Sequence, residues 1–445
     1  MRRHIDATLE TWASRQQRKP LVLLGARQVG KTYAIRCLGE RAFDSVAYLD
    51  FSRDAALASL FEDSIDPGVL VPRLEAVLHM SIEPGRTLLV FDEVQLCERA
   101  LTSLKYFCEE APEQHVVAAG SLLGVKVNRD CYSFLVGKVE LETLHPLDFE
   151  EFLWACGEER LAVLIEEALP ATPERVAAFP LHDRALELMR TYLLMGGMPE
   201  VVNRCAPGRG GFEAPALEMA RSLQHDIDVA YVADMTKYSS SSEAPRIFEA
   251  WRSIPSQLAK ENHKFQYAKV RSGGRANQYE LPIAWLESAG MVTRCTQVTD
   301  GVAPLRQFEN PSAFKLYMAD TGLLSAAYDA LPSDVLPSEG KAAGFRGALA
   351  ENYALQQIVA HASVPHYWGV ASKSEVEFVA RNKTGDVLPI EVKSGSNVRA
   401  NSLMAYREKY RPPYVVRMSG KNFGFENGIL SVPLYAACFF VRELL

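Results

Sequence analysis

Gly25-Ala26-Arg27-Gln28-Val29-Gly30-Lys31-Thr32 follows the apolar run Leu21-Val22-Leu23-Leu24 and precedes a helix-compatible run from Tyr33 to Leu38. The stretch fits G-x-x-x-x-G-K-[ST] in the strand, loop and helix setting that confirms it as a phosphate-binding loop. Gly25 and Gly30 let the backbone curl with its N–H groups inward, which a Cβ would obstruct. Lys31 supplies a cation for the β- and γ-phosphates of a nucleotide, and Thr32 offers its hydroxyl to Mg²⁺. The helix N-terminus adds a partial positive charge. The whole segment from Gly25 through Ala26, Arg27, Gln28, Val29 and Gly30 to Lys31 and Thr32 is therefore the expected nucleotide-binding site, for a nucleoside triphosphate with Mg²⁺.

Outward from this loop, Val46 to Phe51 and Thr87 to Phe91 read as further strands separated by helix-sized segments, one of them the helical run from Val69 to Met80. That alternation predicts a parallel α/β sheet with both faces covered. The third strand runs into Asp92-Glu93, which places two carboxylates at the C-terminal edge of the sheet, where ligands of open α/β folds bind. Asp92 is expected to hold Mg²⁺ or its water, and Glu93 to orient and deprotonate the attacking water. Val116 to Ser121 reads as the next strand, with Ser121 either a γ-phosphate sensor or a helix cap. Residues 1 to 20 read as an amphipathic helix carrying Ile5, Leu9 and Trp12 and ended by Pro20.

The bulk properties agree with an intracellular multidomain protein. A length of 445 residues exceeds one ordinary core. The hydrophobic fraction of 48% excludes general disorder, and the net charge of −7 means that any DNA contact needs a local basic patch. Eight scattered cysteines, without a C-x-x-C pair, suit a reducing compartment. Met1 to Arg18 lacks a signal-peptide core, and the apolar run near Val432 to Val441 is about half a membrane span. The expected location is the cytoplasm, with no membrane partner.

Four stretches carry a family resemblance: the phosphate loop, Phe91-Asp92-Glu93-Val94-Gln95, Ala119-Gly120-Ser121, and Leu144 to Phe152. With Gly196-Gly197-Met198-Pro199-Glu200, Lys315 to Gly322 and Pro389 to Gly395, the sequence resembles prokaryotic AAA-type ATPases whose C-terminal half is a domain of unknown function related to the PD-(D/E)XK nuclease fold. The resemblance implies adenine rather than guanine as the base, in keeping with the lack of an N-K-x-D sequence. It also implies a homo-oligomer or a partner protein that supplies an arginine finger. In one departure, Ser133 to Gly137 is followed by Lys138 where the family usually has arginine. A lysine lacks the planar fork that meets two phosphate charges, so hydrolysis is slow or another arginine, such as Arg129, serves.

The expected architecture is α/β: an N-terminal parallel-sheet P-loop domain of AAA type with a helical lid (1–205), a helical connector and winged helix (206–305), and a C-terminal α/β nuclease-like domain (306–445). The winged helix rests on helices through Ile247, Trp251, Ile254 and Leu258 and from Tyr279 to Ala289, followed by a strand at Gly290 to Arg294. Lys260, Lys264, Lys269, Arg271, Arg275 and Arg294 surround it and make DNA a candidate partner, although such modules also bind protein. In the last third, a helix from Ala348 to His361 carries Glu351. Strands carry Glu375 with Glu377, and Glu391 with Lys393, each pair on one face because side chains repeat every two residues. The nuclease resemblance implies Glu351, Glu377 and Glu391 as metal ligands, with Glu377, Glu391 and Lys393 catalytic. A retained fold that serves only as a scaffold gives the same pattern. Three functions follow: Mg-dependent ATP hydrolysis coupled to a DNA-binding or nuclease-like half, a nucleotide-dependent remodelling or switch protein with an inactive scaffold, or a metal-dependent nuclease with ATP as its regulator.

Overall fold

The computed structural model describes residues 1–54, 56–120, 137–170, 172–206, 214–260, 264–335, 343–370, 374–395 and 401–445. They form two compact units: Arg2–His145 with Ser288–Gly290, and Pro146–Glu287 with Met291–Leu445. The expected boundaries at 205/206 and 305/306 both fall inside the second unit.

In the first unit, strands β1 (Leu21–Leu24), β2 (Ser45–Asp50), β3 (Thr87–Asp92), β4 (His115–Ala119) and β5 (Glu140–Thr143) form one sheet in the order β2-β3-β4-β1-β5. Every pairing is parallel. β3 and β4 are buried along their whole length, which is why they read as unbroken apolar runs. Helices α1 (His4–Ser14), α2 (Lys31–Ala42), α3 (Ala56–Asp63), α4 (Pro67–Leu78) and α5 (Glu98–Glu110) accompany the sheet. α1 buries Ile5, Leu9 and Trp12 as their spacing requires. Asp66 caps α4 by accepting the Gly68 N–H at 2.7 Å.

The second unit opens with helices α6 (Phe149–Ala155), α7 (Glu159–Glu167), α8 (His182–Met195), α9 (Pro199–Cys205) and α10 (Ala214–Lys237). Next come α11 (Ala244–Leu258), α12 (Tyr267–Val270), α13 (Ala276–Ser288) and strands β6 (Val292–Val298) and β7 (Glu309–Met318). The remaining elements are α14 (Thr321–Ala327), α15 (Pro332–Val335), α16 (Ala343–His361), β8 (His366–Val370), β9 (Ser374–Arg381), β10 (Val387–Val392), α17 (Asn401–Tyr410), β11 (Val415–Ser419), β12 (Gly424–Glu426), β13 (Ile429–Pro433) and α18 (Ala437–Leu444). Among the described residues, eight strands of this unit form one mixed sheet, β12-β13-β11-β10-β9-β8-β6-β7. The helix, turn, helix and strand order expected from residues 244 to 298 is present. Its strand, however, pairs antiparallel with β7 and parallel with β8, so it is built into the C-terminal sheet. Within this unit the Leu147 N–H donates to the Gly197 carbonyl at 2.7 Å, and the Gly197 N–H donates to Asp320 at 2.6 Å.

Candidate functional site

The first candidate site is built at the C-terminal ends of β1 and β3. Gly25 has φ +136°, and a Cβ there would stand 2.2 Å from the Leu144 carbonyl oxygen, so only glycine fits this turn beside β5. Gly30, at φ +97°, caps α2 in the left-handed region. Arg3, buried, donates to the Val29 carbonyl at 3.2 Å and the His145 carbonyl at 2.7 Å, bracing the loop. Lys31 is buried, and its ammonium donates to the carbonyls of Gly25 (2.7 Å) and Ala26 (2.8 Å). Burial lowers its pKa to about 8; Glu93 and Asp92 oppose that fall, and Arg27 adds to it.

Asp92 is the junction between the loop and β3. The Thr32 hydroxyl donates to Asp92 Oδ2 at 3.1 Å, and the Tyr48 hydroxyl donates to the same oxygen. The Glu93 N–H donates to Oδ1 at 3.0 Å. Glu93 itself sits in the left-handed region at φ +51°, which swings its side chain off the strand. Buried Gln95 donates its amide N–H to Glu93 Oε2. The pairing of β2 with β3 brings Tyr48 to Asp92, and the Arg36 guanidinium lies 5.2 Å from the Tyr48 ring centroid. A hydroxyl and a carboxylate oxygen this close are the hard oxygen donors Mg²⁺ takes, so Thr32 and Asp92 fit the metal.

Ser121 and Arg129 lie outside the described residues. Lys138 pairs with Glu109 at 2.7 Å, within its own unit.

The second candidate site gathers Glu351 on α16, Glu377 on β9, and Glu391 with Lys393 at the end of β10. Lys393 Nζ lies 2.6 Å from Glu377 and 3.7 Å from Glu391. Arg417 on β11 reaches Glu391 at 3.3 Å. Lys315 on β7, fully buried, pairs with Glu375 at 2.7 Å and Glu351 at 3.4 Å, and the Tyr317 hydroxyl donates to Glu351 at 2.9 Å. Burial pushes the Glu377 carboxyl well up, an effect Lys393 opposes and Glu351 reinforces. Among the described residues, Glu351, Glu377 and Glu391 do not form a group whose ligand atoms all lie within 4.8 Å of one another.

The basic residues around α11 to β6 are partly spent inside the unit. Arg294 pairs with Glu287 (2.9 Å) and Glu280 (3.2 Å) and lies 4.4 Å from the Phe314 ring centroid. Arg271 is 3.7 Å from Glu249, and Lys264 is 4.0 Å from Glu375.

Residues 17–153 match a family model described as an AAA domain. The first unit carries an AAA-type P-loop ATPase domain. The phosphate loop, Asp92 and Glu93 all fall inside the matched AAA region. Residues 186–334 and 346–437 match two domains of unknown function, DUF8612 and DUF4143. Solved structures similar to the chain include a Walker-type ATPase of Pyrococcus abyssi (14% identity, TM-score 0.46, covering 74% of this chain and 95% of that one). The ORC2 protein of Aeropyrum pernix has 12% identity and TM-score 0.38, with 73% and 92% covered. The ORC1 protein of the same organism, solved in complex with DNA, has 16% identity and TM-score 0.30, with 74% and 93% covered. No curated protein matches the chain.

Tyr48, Arg3 and Lys315 were not singled out by motif or spacing. Each acts through a contact between residues distant in sequence. Lys315 opens one of the stretches that carry the family resemblance, which gives it no role of its own, and its two-residue spacing from Tyr317 puts both on one face of a strand.

Proposed function

We propose that the protein hydrolyses ATP with Mg²⁺ and uses the cycle to act through its second unit, on or near DNA. The observation that carries this reading is the junction of the phosphate loop with β3, where the Thr32 hydroxyl meets Asp92 at 3.1 Å. On nucleotide binding, Lys31 exchanges the Gly25 and Ala26 carbonyls for β- and γ-phosphate oxygens, and the curled loop donates its N–H groups to the same phosphates. Thr32 and Asp92 would hold Mg²⁺, which would supply charge neutralisation at the phosphates. Tyr48 fixes the orientation of Asp92. Glu93, held by Gln95, orients water for in-line attack and takes its proton. With Lys138 occupied by Glu109, an arginine from another copy or from a partner protein completes the transition-state charge.

A second reading, a nucleotide-dependent remodelling or switch protein with an inert nuclease-like scaffold, is favoured by the internal pairing of Arg294, Arg271 and Lys264. The deciding experiment is ATP hydrolysis by the purified protein, with and without duplex and single-stranded DNA over a range of salt, with DNA integrity scored on the same samples. Stimulation by DNA that fades as salt rises supports the first reading; hydrolysis indifferent to DNA, with intact DNA, supports the second. If Lys31→Ala binds ATP as wild type does, or Glu93→Gln hydrolyses it unimpaired, the ATPase reading fails.

A further inference from the structure

We infer that Lys315 is a built-in cation that takes the place of a divalent metal ion among the carboxylates of the second unit. The sequence pattern there suggests a Mg²⁺ centre, but the residues do not fit one. Each carboxylate that would serve as ligand is already bound by a cation of the chain: Glu351 by Lys315, Glu377 by Lys393, and Glu391 by both Lys393 and Arg417. Glu375, the remaining acid of the group, is paired with Lys315 at 2.7 Å.

Lys315 differs from the other cations in its burial. Its side chain is only 1% exposed, against 32% for Lys393. It is enclosed by two carboxylates and the Tyr367 ring, whose centroid is 5.2 Å away. Burial alone would lower the lysine pKa, but Glu351, Glu375 and Glu377 more than reverse that and hold the ammonium charged. A dication needs ligand oxygens at about 2.0–2.6 Å in a shell of six or more. An ammonium seated between Glu351 and Glu375 uses those oxygens for its own hydrogen bonds and repels a second positive charge at close range. Four carboxylates facing Lys315, Lys393 and Arg417 are close to electrical balance without any ion. The carboxylate cluster therefore holds the α16, β7, β9 and β10 elements together as a metal-independent network.

Removing the Lys315 charge should convert the cluster into a metal site. The experiment uses the full chain without nucleotide, with Asp92→Asn throughout so that the phosphate-loop site does not compete, and Mn²⁺ binding read by electron paramagnetic resonance. The Asp92→Asn protein should bind no Mn²⁺ below about 1 mM, the weak end of carboxylate sites, and melt at one temperature in chelator and in Mn²⁺. Adding Lys315→Met should lower the melting temperature in chelator, create Mn²⁺ binding at least about tenfold tighter, and let Mn²⁺ restore part of the lost melting temperature. Glu351→Gln should cancel that gain. Mn²⁺ binding by the Asp92→Asn protein that is lost in Glu377→Gln or Glu391→Gln overturns the inference, and so does a folded Lys315→Met protein that gains no Mn²⁺. The first measurement leaves Lys315 in place, so it decides the matter even where Lys315→Met does not fold. ATP hydrolysis by protein with native Asp92 is a separate readout.

Discussion

Raising the pH should weaken ATP binding in a way that reports on Lys31 alone. In the nucleotide-free loop the ammonium donates to two neutral carbonyls, and burial holds its pKa at about 8. Bound phosphates would return the group to a strongly basic state, so binding above pH 8 must first add a proton. With a free-state pKa of about 8, the protonated fraction falls from about three-quarters at pH 7.5 to about 3% at pH 9.5. The expected loss of affinity is about 25-fold, or ~1.9 kcal/mol. Isothermal titration with ATP in buffers of different ionisation enthalpy measures both the affinity and the proton taken up. Lys31→Arg stays charged across this range, so its affinity, whatever its absolute value, should change little between the two pH values. A wild-type affinity constant within about threefold over that interval, or a slope shared by Lys31→Arg, refutes the reasoning. The same depression acts on folding. Between about 8 and 10.4 the unfolded chain binds more protons at this residue, so the Lys31 contribution to stability of the nucleotide-free protein rises with pH across that window.

Two other perturbations have definite outcomes. Gly196 has φ +73°, and a Cβ there would stand 2.2 Å from Asp320 Oδ1, whereas Gly157, also at φ +73°, faces open space; by urea unfolding, Gly196→Ala should cost ~3 kcal/mol or more and Gly157→Ala ~1–2 kcal/mol. His115 is buried with Arg18 donating to Nδ1 at 2.9 Å, which leaves Nε2 to donate to the Ala13 carbonyl at 3.0 Å. Burial holds its pKa down at about 4, so the native state resists the proton that the unfolded chain accepts below about 6.5. Melting temperature should therefore fall as pH drops from 6.5 toward 4, and His115→Gln, which can keep both hydrogen bonds, should flatten that fall.

How much of this was legible in the sequence follows from the range of each interaction. The phosphate loop, the strands flanking it and Asp92-Glu93 are local patterns, and β1, β2 and β3 begin within a residue of where their apolar runs begin. Tyr48 looked like any aromatic strand residue; its role depends on the register of β2 against β3. The basic residues around α13 looked like a patch because sequence shows their number but not their partners. Glu280 and Glu287, two turns apart on α13, pair with Arg294 on β6 and neutralise part of it. Lys315 was hidden for the same reason: a buried lysine is readable only when the carboxylates that surround it are known.

The placement of Pro146 to Cys205 in the second unit has its own physical cause. Asp320 is fully buried, and burial raises its pKa to about 6, so at neutral pH a carboxylate sits where a bare charge would be costly. It is held there by the Gly197 N–H at 2.6 Å, the Leu323 N–H at 3.0 Å and the Gln356 amide at 3.4 Å. Gln356 also donates to the Tyr192 hydroxyl at 2.8 Å, and Tyr192 donates in turn to the Leu147 carbonyl. Each group satisfies another's buried polar atom, so none of the segments around Leu147, Gly197 and Asp320 can leave without stranding a donor or acceptor in the core. Gly196 is forced by the same network, since a side chain there would occupy the space of the carboxylate. The stretches near 147, 197 and 320 thus meet in one polar cluster of the second unit. Their glycines and the aspartate are explained by folding requirements, separately from the chemistry at Lys31, Asp92 and Glu93.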